Sequence, residues 1–276
     1  ATNTAPLAFS TKPAPHCVPA DAPPGRYTGS VAIGAGEHET RMPLELTVHP
    51  FALDPVTDIT ISVTGTRSWG SDEESWWRTA DIVMRNLADH GMNAVTGGAG
   101  AGADLRAVED GRPVIDYTRM DRWLALAAGH GLTMAGDAYQ GLDVAGVPND
   151  HGKNAVARNE ALAREKFGVS YAELIALVYG DVARHAREKG WPPRVYSFLD
   201  EPRPEYGNIE ACGELIRIRT AASPGTLFAG YYSTGDGRDV YFETMPVSIT
   251  HVTRHALQLA ARAGRQVWEY AGGGAR

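Results

Sequence analysis

The stretch Arg194–Pro202, RVYSFLDEP, reads as a strand that stops at its most polar point. Simple alternation would put Val195, Ser197 and Leu199 on one side, with Tyr196 and Phe198 on the other. Two acids, Asp200 and Glu201, then stand side by side, and Pro202 follows at once. Proline has no N–H to give to a ladder and pushes the residue before it out of helical geometry. The strand is therefore expected to end at the acid pair.

Working outward, this strand is the fourth in a regular alternation. DITISVTG (58–65), MNAVTGG (92–98) and LTMAGDAY (132–139) read as strands before it. GTLFAGYYS (225–233), VSITHVT (247–253) and RQVWEYAGGG (265–274) read as strands after it. Between them run helical patterns: SWWRTADIVMRNLADHG, YTRMDRWLALAAGHG, NEALAREKFG, SYAELIALVYGDVARHAREKG, NIEACGELIRIRTAA and RHALQLAARAG. Five of the six end in glycine, a favoured residue just past a helix C-terminus. Alternation of this kind predicts an α/β protein built as a (β/α)8-type TIM barrel. Seven strands are legible and no eighth follows, so the barrel is expected to be incomplete at its C-terminus, with a gap between the seventh strand and the first. Exposed edges there would invite pairing with another chain, so an oligomer is expected to be possible.

The rival is a doubly wound nucleotide-binding sheet. No G-x-G-x-x-G or G-x-x-x-x-G-K sequence follows any strand. GGAGAGAD at 97–104 opens no helix with phosphate-cradling spacing, and it reads as a flexible loop. Residues 1–55 differ from the rest. Nine of the 17 prolines fall there, in an irregular leader followed by a hairpin over Tyr27–Ile33 and Pro43–Val48. One hairpin is rarely stable alone. The expected organisation is thus a leader and hairpin over 1–55 and a barrel over 56–276.

The bulk properties exclude several classes of function. The formal net charge is −7, which leaves no footprint for nucleic acid and no basic stripe for an anionic membrane. No run of about 18 apolar residues exists to span a membrane. Two distant cysteines, Cys17 and Cys212, make neither a disulfide framework nor a metal knuckle. The nine histidines form no H-E-x-x-H, and the pair His251 and His255 straddles a strand-to-helix boundary, so no metal site is expected. No cofactor is expected either. The opening residues have no basic start with an apolar core, so they show no signal peptide.

In such barrels the reactive groups sit at the C-terminal ends of strands. Asp200 and Glu201 hold that position. Close like charges raise one of two pKa values, so one acid can donate a proton while its neighbour stays ionised. That division of labour suits glycoside cleavage. The plainer reading is that Asp200 caps the next turn and Glu201 is a solvated loop acid. Other strand ends offer possible substrate contacts: Arg67 and Trp69, Asp137 and Tyr139, Tyr231 and Tyr232, His251, then Trp268, Glu269 and Tyr270. Aromatic rings stack on sugar faces and carry a polar tip, though on barrel strands they are more often core. Trp76, Trp77 and Trp123 lie on helices and are read as packing residues.

The hairpin ahead of a barrel, with YSFLDEP on strand four and VWEYAGGG on a late strand, resembles glycoside hydrolase family 123. That family implies an exo-acting β-N-acetylgalactosaminidase with a β-sandwich before a (β/α)8 barrel. The resemblance covers roughly Gly25 to the C-terminus, and its most specific part is the Asp-Glu-Pro step. It implies that the hairpin is the end of a sandwich domain. It also implies that Asp200 orients and stabilises the 2-acetamido group, which attacks the anomeric carbon, and that Glu201 protonates the leaving oxygen and later activates water. The substrate is then a terminal N-acetyl-β-hexosaminide, and the resemblance is compatible with a secreted or periplasmic setting. Two other readings stand beside it. Glu201 and Glu269 could act as acid/base and nucleophile of a double-displacement glycosidase if their carboxyls lie about 5 Å apart. A non-catalytic carbohydrate-binding or scaffold barrel is the rival from a different class.

Overall fold

The computed structural model describes residues 18–19, 21–35, 38–51, 61, 72–96, 101–136, 144–200, 207–231, 247–250 and 254–269. The chain divides into two compact units, Ala1–Ile59 with Asp89–Gly91, and Thr60–Ala88 with Met92–Arg276. In the first, β1 (Gly25–Ala35) and β2 (His38–Val48) form an antiparallel hairpin in continuous register from Gly25 opposite Val48 to Ala35 opposite His38. It is longer than the sequence pattern suggests. Tyr27, Val31, Leu44 and Leu46 share one face by register, and glycines and prolines shorten the apparent runs.

The second unit carries the βα alternation. Its elements are α1 (Glu73–Asp89), β3 (Ala94–Thr96), β4 (Ala103–Glu109), β5 (Arg112–Asp116), α2 (Thr118–Gly129), β6 (Met134–Gly136), β7 (Val144–Ala145), α3 (Ala155–Phe167), α4 (Tyr171–Lys189), β8 (Arg194–Asp200), α5 (Ile209–Ala222), β9 (Leu227–Tyr231), β10 (Val247–Thr250), α6 (Arg254–Ala263) and β11 (Gln266–Glu269). Six strands form one sheet in the order β11-β10-β9-β8-β6-β3. Every pairing in it is parallel. The strands follow chain order along the sheet, as successive right-handed βα units require. Of the predicted first strand only Ile61 is described; its carbonyl accepts from the backbone N–H groups of Asn93 and Ala94, at the start of β3. The expected gap between the seventh strand and the first lies outside the described residues.

Local chemistry explains the helices. α4 starts with a capping box: the Ser170 side chain accepts from the Glu173 N–H, and the Glu173 carboxylate accepts from the Ser170 N–H. It ends at Gly190, which takes a left-handed conformation (φ 64°) that costs a side-chain-bearing residue more. One face of α4 then buries Leu174, Ile175, Val178, Tyr179 and Val182. Trp77 and Trp123 are core residues, and Trp76 packs partly buried beside them. No helix among the described residues is long and apolar enough to cross a membrane.

Two segments depart from expectation. Residues 103–104 begin a strand and do not belong to a loop: Ala101 and Ala103 are buried, and β4 pairs with β5 across Asp110 and Gly111, both at positive φ (49° and 72°). Such a turn matches the twist of a two-stranded ribbon. β7 adds to the other edge of β4 in parallel, giving a small sheet β5-β4-β7.

Candidate functional site

Asp200 ends β8, and the pairing of β8 with β9 shows which row it joins. Val195, Tyr196 and Ser197 stand opposite Leu227, Phe228 and Ala229. Leu199 then stands opposite Gly230, and Asp200 opposite Tyr231. Phe198 is thus an extra residue, a β-bulge, a device that recurs beside active sites because it re-aims the residues after it. The bulge corrects the simple alternation. By backbone register Leu199 leaves the rows of Val195 and Ser197 and joins that of Tyr196, and Asp200 takes its place among theirs. Tyr196 and Phe228 both meet Tyr179 of α4 edge-on, with ring centroids 5.2 and 4.9 Å apart. Their rows lie against the helix layer, and Asp200 belongs to the alternate rows.

The register continues across the sheet. Tyr231 stands opposite Ile249, and Ile249 opposite Trp268. Asp200, Tyr231 and Trp268 therefore share one row at the C-terminal ends of β8, β9 and β11. Glu269 stands opposite Thr250, one row further on. Glu201, Tyr232, His251 and Tyr270 each follow directly after a strand end and lie outside the described residues, as do Asp137 and Tyr139 after β6 and Arg67 and Trp69 after the first predicted strand.

Sequence reasoning missed a polar cluster in the connection that follows β6. Asn159 of α3 is fully buried and brackets Asp150: its Oδ1 accepts from the Asp150 N–H and its Nδ2 donates to the Asp150 carbonyl, both at 2.8 Å. Asn208, just ahead of α5, donates to the His151 carbonyl at 2.9 Å, and the Cys212 thiol reaches the same oxygen at 3.6 Å. Arg219, near the end of α5, is also fully buried. Its Nε donates to the Tyr171 hydroxyl at 2.7 Å, and its Nη2 to Asn149 Oδ1 at 3.2 Å and the Pro148 carbonyl at 3.4 Å. Four consecutive residues, Pro148–His151, are thereby held along α5 and against α3.

The electrostatics of the cluster fit a structural task. The Gly152 N–H, followed by the Arg158 guanidinium, holds the Asp150 carboxyl below the usual range. Burial pushes the Cys212 thiol up to about 12, so it is no nucleophile at neutral pH. A separate cavity of about 400 Å³, lined in part by Trp191, Arg194 and Leu227, opens at the N-terminal ends of β8 and β9. It lies at the opposite end of these strands from Asp200.

No match was found among curated proteins. Similar solved structures include a GH10 endoxylanase from a sugarcane soil metagenome, 9% identical over 68% of this chain and 61% of that one, with a TM-score of 0.37. Another is a GH5-4 broad-specificity endoglucanase from Bacteroides salanitronis, 14% identical over 63% of this chain and 51% of that one, with a TM-score of 0.38. A third is a putative α-L-fucosidase from Bacteroides thetaiotaomicron, 15% identical over 79% and 71%, with a TM-score of 0.40. The chain spans 61% and 51% of the length of the first two. The family model for "Glycoside hydrolase 123, catalytic domain" matches residues 103–273, more than half of the chain, and includes β8 with its acid pair. The chain belongs to glycoside hydrolase family 123.

Proposed function

We propose that this chain carries the catalytic core of a glycosidase that removes terminal N-acetyl-β-hexosaminides, with N-acetylgalactosamine the favoured sugar. Catalysis is assigned to residues 56–276, and 1–55 to the end of a β-sandwich domain. The reaction retains configuration. The substrate's own 2-acetamido oxygen attacks the anomeric carbon as Glu201 protonates the leaving oxygen. Asp200 orients the acetamido group and stabilises the positive charge of the oxazolinium. Glu201 then takes a proton from the water that opens the ring. The sugar supplies the nucleophile, so one strand end can hold both carboxyls and none is needed across the ring.

The observation that carries this reading is the bulge at Phe198, together with family membership. The bulge sets Asp200 in the rows opposite the helix-packed Tyr196, level with Tyr231 and Trp268. Arg67, Trp69, Asp137, Tyr139, Tyr231, Tyr232, His251, Trp268, Glu269 and Tyr270 are the proposed sugar contacts, chosen because each ends or follows a strand read from the sequence. The double-displacement reading needs Glu269 to serve with Glu201. Glu269 stands opposite Thr250, one row beyond that of Asp200, Tyr231 and Trp268, and a reading built on Glu201 and Glu269 leaves Asp200 without a role.

A panel of aryl glycosides tests the proposal. Hydrolysis should be confined to 2-acetamido sugars, and a thiazoline analogue of the cyclised intermediate should inhibit. Asp200→Asn should remove most activity, and Glu269→Gln should be mild by comparison. Covalent labelling of Glu269 by a 2-fluoro glycoside would overturn this mechanism in favour of double displacement.

A further inference from the structure

A charged side chain is buried at little cost only when an opposite charge or a full set of hydrogen bonds accompanies it. Arg194, the first residue of β8, departs from that rule. It is 7% exposed. Its Nη1 donates to the Met120 sulfur, a weak acceptor, and its guanidinium lies over the Tyr196 ring, 4.2 Å from the centroid. Its Nε and Nη2 are buried and have no hydrogen-bond partner. No acid among the described residues pairs with it. Asp121 of α2 and Asp181 and Glu188 of α4 are engaged elsewhere: Asp121 with His185 and Trp191, Asp181 with Tyr117 and Arg184, and Glu188 with Arg184.

Arg194 lines the cavity of about 400 Å³ at the N-terminal ends of β8 and β9. Small-molecule sites span about 300–1,000 Å³, and this one falls among them. It lies between the second half of α4, the turn that follows that helix and the starts of the two strands. Its lining holds two arginines, Arg187 and Arg194, and no acid. Most of the rest is apolar or aromatic, with Tyr179, Trp191 and Tyr196 the largest side chains. These walls are held from behind. The Trp191 indole donates to Asp121 at 3.1 Å and meets His185 edge-on at 5.1 Å. Tyr179 meets Tyr196 and Phe228 edge-on. Pro192 and Pro193 restrict the turn. A site whose walls are already fixed loses little conformational entropy when it takes a ligand.

We propose that this cavity binds a small organic carboxylate with a flat apolar body. The carboxylate supplies the negative charge that Arg194 lacks. Nε and Nη2 are closed off from water, so the guanidinium turns off the Met120 sulfur to present its edge, and a weak acceptor is exchanged for a charged one. An arginine fork matches a carboxylate in two parallel hydrogen bonds. Arg187, exposed in the last turn of α4, adds a second positive charge. The flat body of the ligand lies against the aromatic walls. The site is at the opposite end of the strands from Asp200, and its occupancy does not depend on the glycosidase reading.

Calorimetric titration of the full chain at neutral pH tests this with phenylpropanoate, phenylpropanol and inorganic sulfate. The first carries charge and ring, the second the same ring without charge, and the third charge without a ring. The acid should bind one to one and at least about tenfold tighter than the alcohol, the factor that one charge-assisted hydrogen bond supplies. Sulfate should also bind more weakly than the acid. Arg194→Met keeps the stem and removes the charge. It should fold, because an apolar group replaces an unpaired buried charge, and it should bind acid and alcohol alike. Ala186→Phe fills the cavity from α4, leaves Arg194 in place and should abolish binding of the acid. The proposal is overturned if acid and alcohol bind the wild type equally, if neither binds, or if sulfate matches the acid. It is overturned as well if Arg194→Met keeps the wild-type preference for the acid. Should Arg194→Met fail to fold, Ala186→Phe decides, and undiminished binding of the acid there overturns the proposal.

Discussion

Asn159→Asp should destabilise the protein in a way that depends on pH, and the dependence can be worked from the structure. Asn159 is fully buried, with two bonds of 2.8 Å to the backbone of Asp150. The substituted carboxylate can still accept from the Asp150 N–H. It cannot donate to the Asp150 carbonyl unless it is protonated. It also stands near the Asp150 carboxylate, and both burial and that charge favour its neutral form. A fully buried carboxyl can titrate about 3 pH units above its ordinary value of about 3.9, and each pH unit is worth about 1.36 kcal/mol. The folded state then binds a proton that the unfolded state has released. Stability relative to wild type should fall as pH rises from about 4 to about 7, by about 4 kcal/mol in all, and level off above that. Near pH 4 the protonated side chain can restore both bonds, and the variant should approach wild type. Asn159→Ala loses both bonds at every pH and should cost about 2–4 kcal/mol throughout. Urea titrations of the three proteins at several pH values provide the measurement, with each variant referred to wild type at the same pH. A penalty for Asn159→Asp that stays flat from pH 4.5 to 8 would refute the reasoning. So would an Asn159→Ala penalty under about 0.5 kcal/mol, since a surface substitution costs no more.

Three further outcomes are expected. Glu201→Gln should cut turnover strongly on substrates with poor leaving groups and far less on activated aryl glycosides; equal losses on both would assign Glu201 a structural role. Because the Gly152 N–H and then Arg158 hold the folded Asp150 carboxyl low, its contribution is present above the unfolded value of about 3.9 and is lost as pH falls through the lower folded one. The urea midpoint should drop over that range, and Asp150→Asn should flatten the drop. Gly146→Ala should cost more than about 2 kcal/mol by thermal denaturation, because Gly146 sits at φ 87° and a Cβ there would stand 2.8 Å from the Leu105 carbonyl oxygen.

The βα order was legible because each helix announces both its period and its end. Apolar spacing gives the buried face of α4, and the serine-glutamate box and Gly190 mark its limits within a residue. The β4–β5 hairpin was equally written in the chain, in the Asp-Gly pair at 110–111 and the alternation of buried Ala103 and Leu105 with polar neighbours. The glycine-rich run just before it draws the reading toward a loop. β7 has two residues, too few to carry any period.

The place of Asp200 at the end of β8 was legible, and the row of Leu199 before it was not. Asp200 ends β8 as the following Glu-Pro predicts. A bulge, however, is a property of two strands. Its extra residue is defined only by the partner's register, and nothing in RVYSFLD marks Phe198 as surplus. One unpaired residue shifts Leu199 into the row of Tyr196, so a correct strand assignment still put Leu199 on the wrong side.

The polar cluster after β6 was hidden for another reason. Arg219 lies in the last turn of α5, where a basic residue reads as a solvated partner of the helix's negative end. Asn208 reads as an ordinary helix-starting residue, and its side chain makes no capping bond. Both instead reach across to another connection. Polar side chains spent on a loop's backbone carry no period and no motif, because their partners are main-chain atoms that any residue supplies. Such residues surface only when burial and bonding are known together. In this chain they mark the connection after β6, tied to the end of the one that begins with the acid pair.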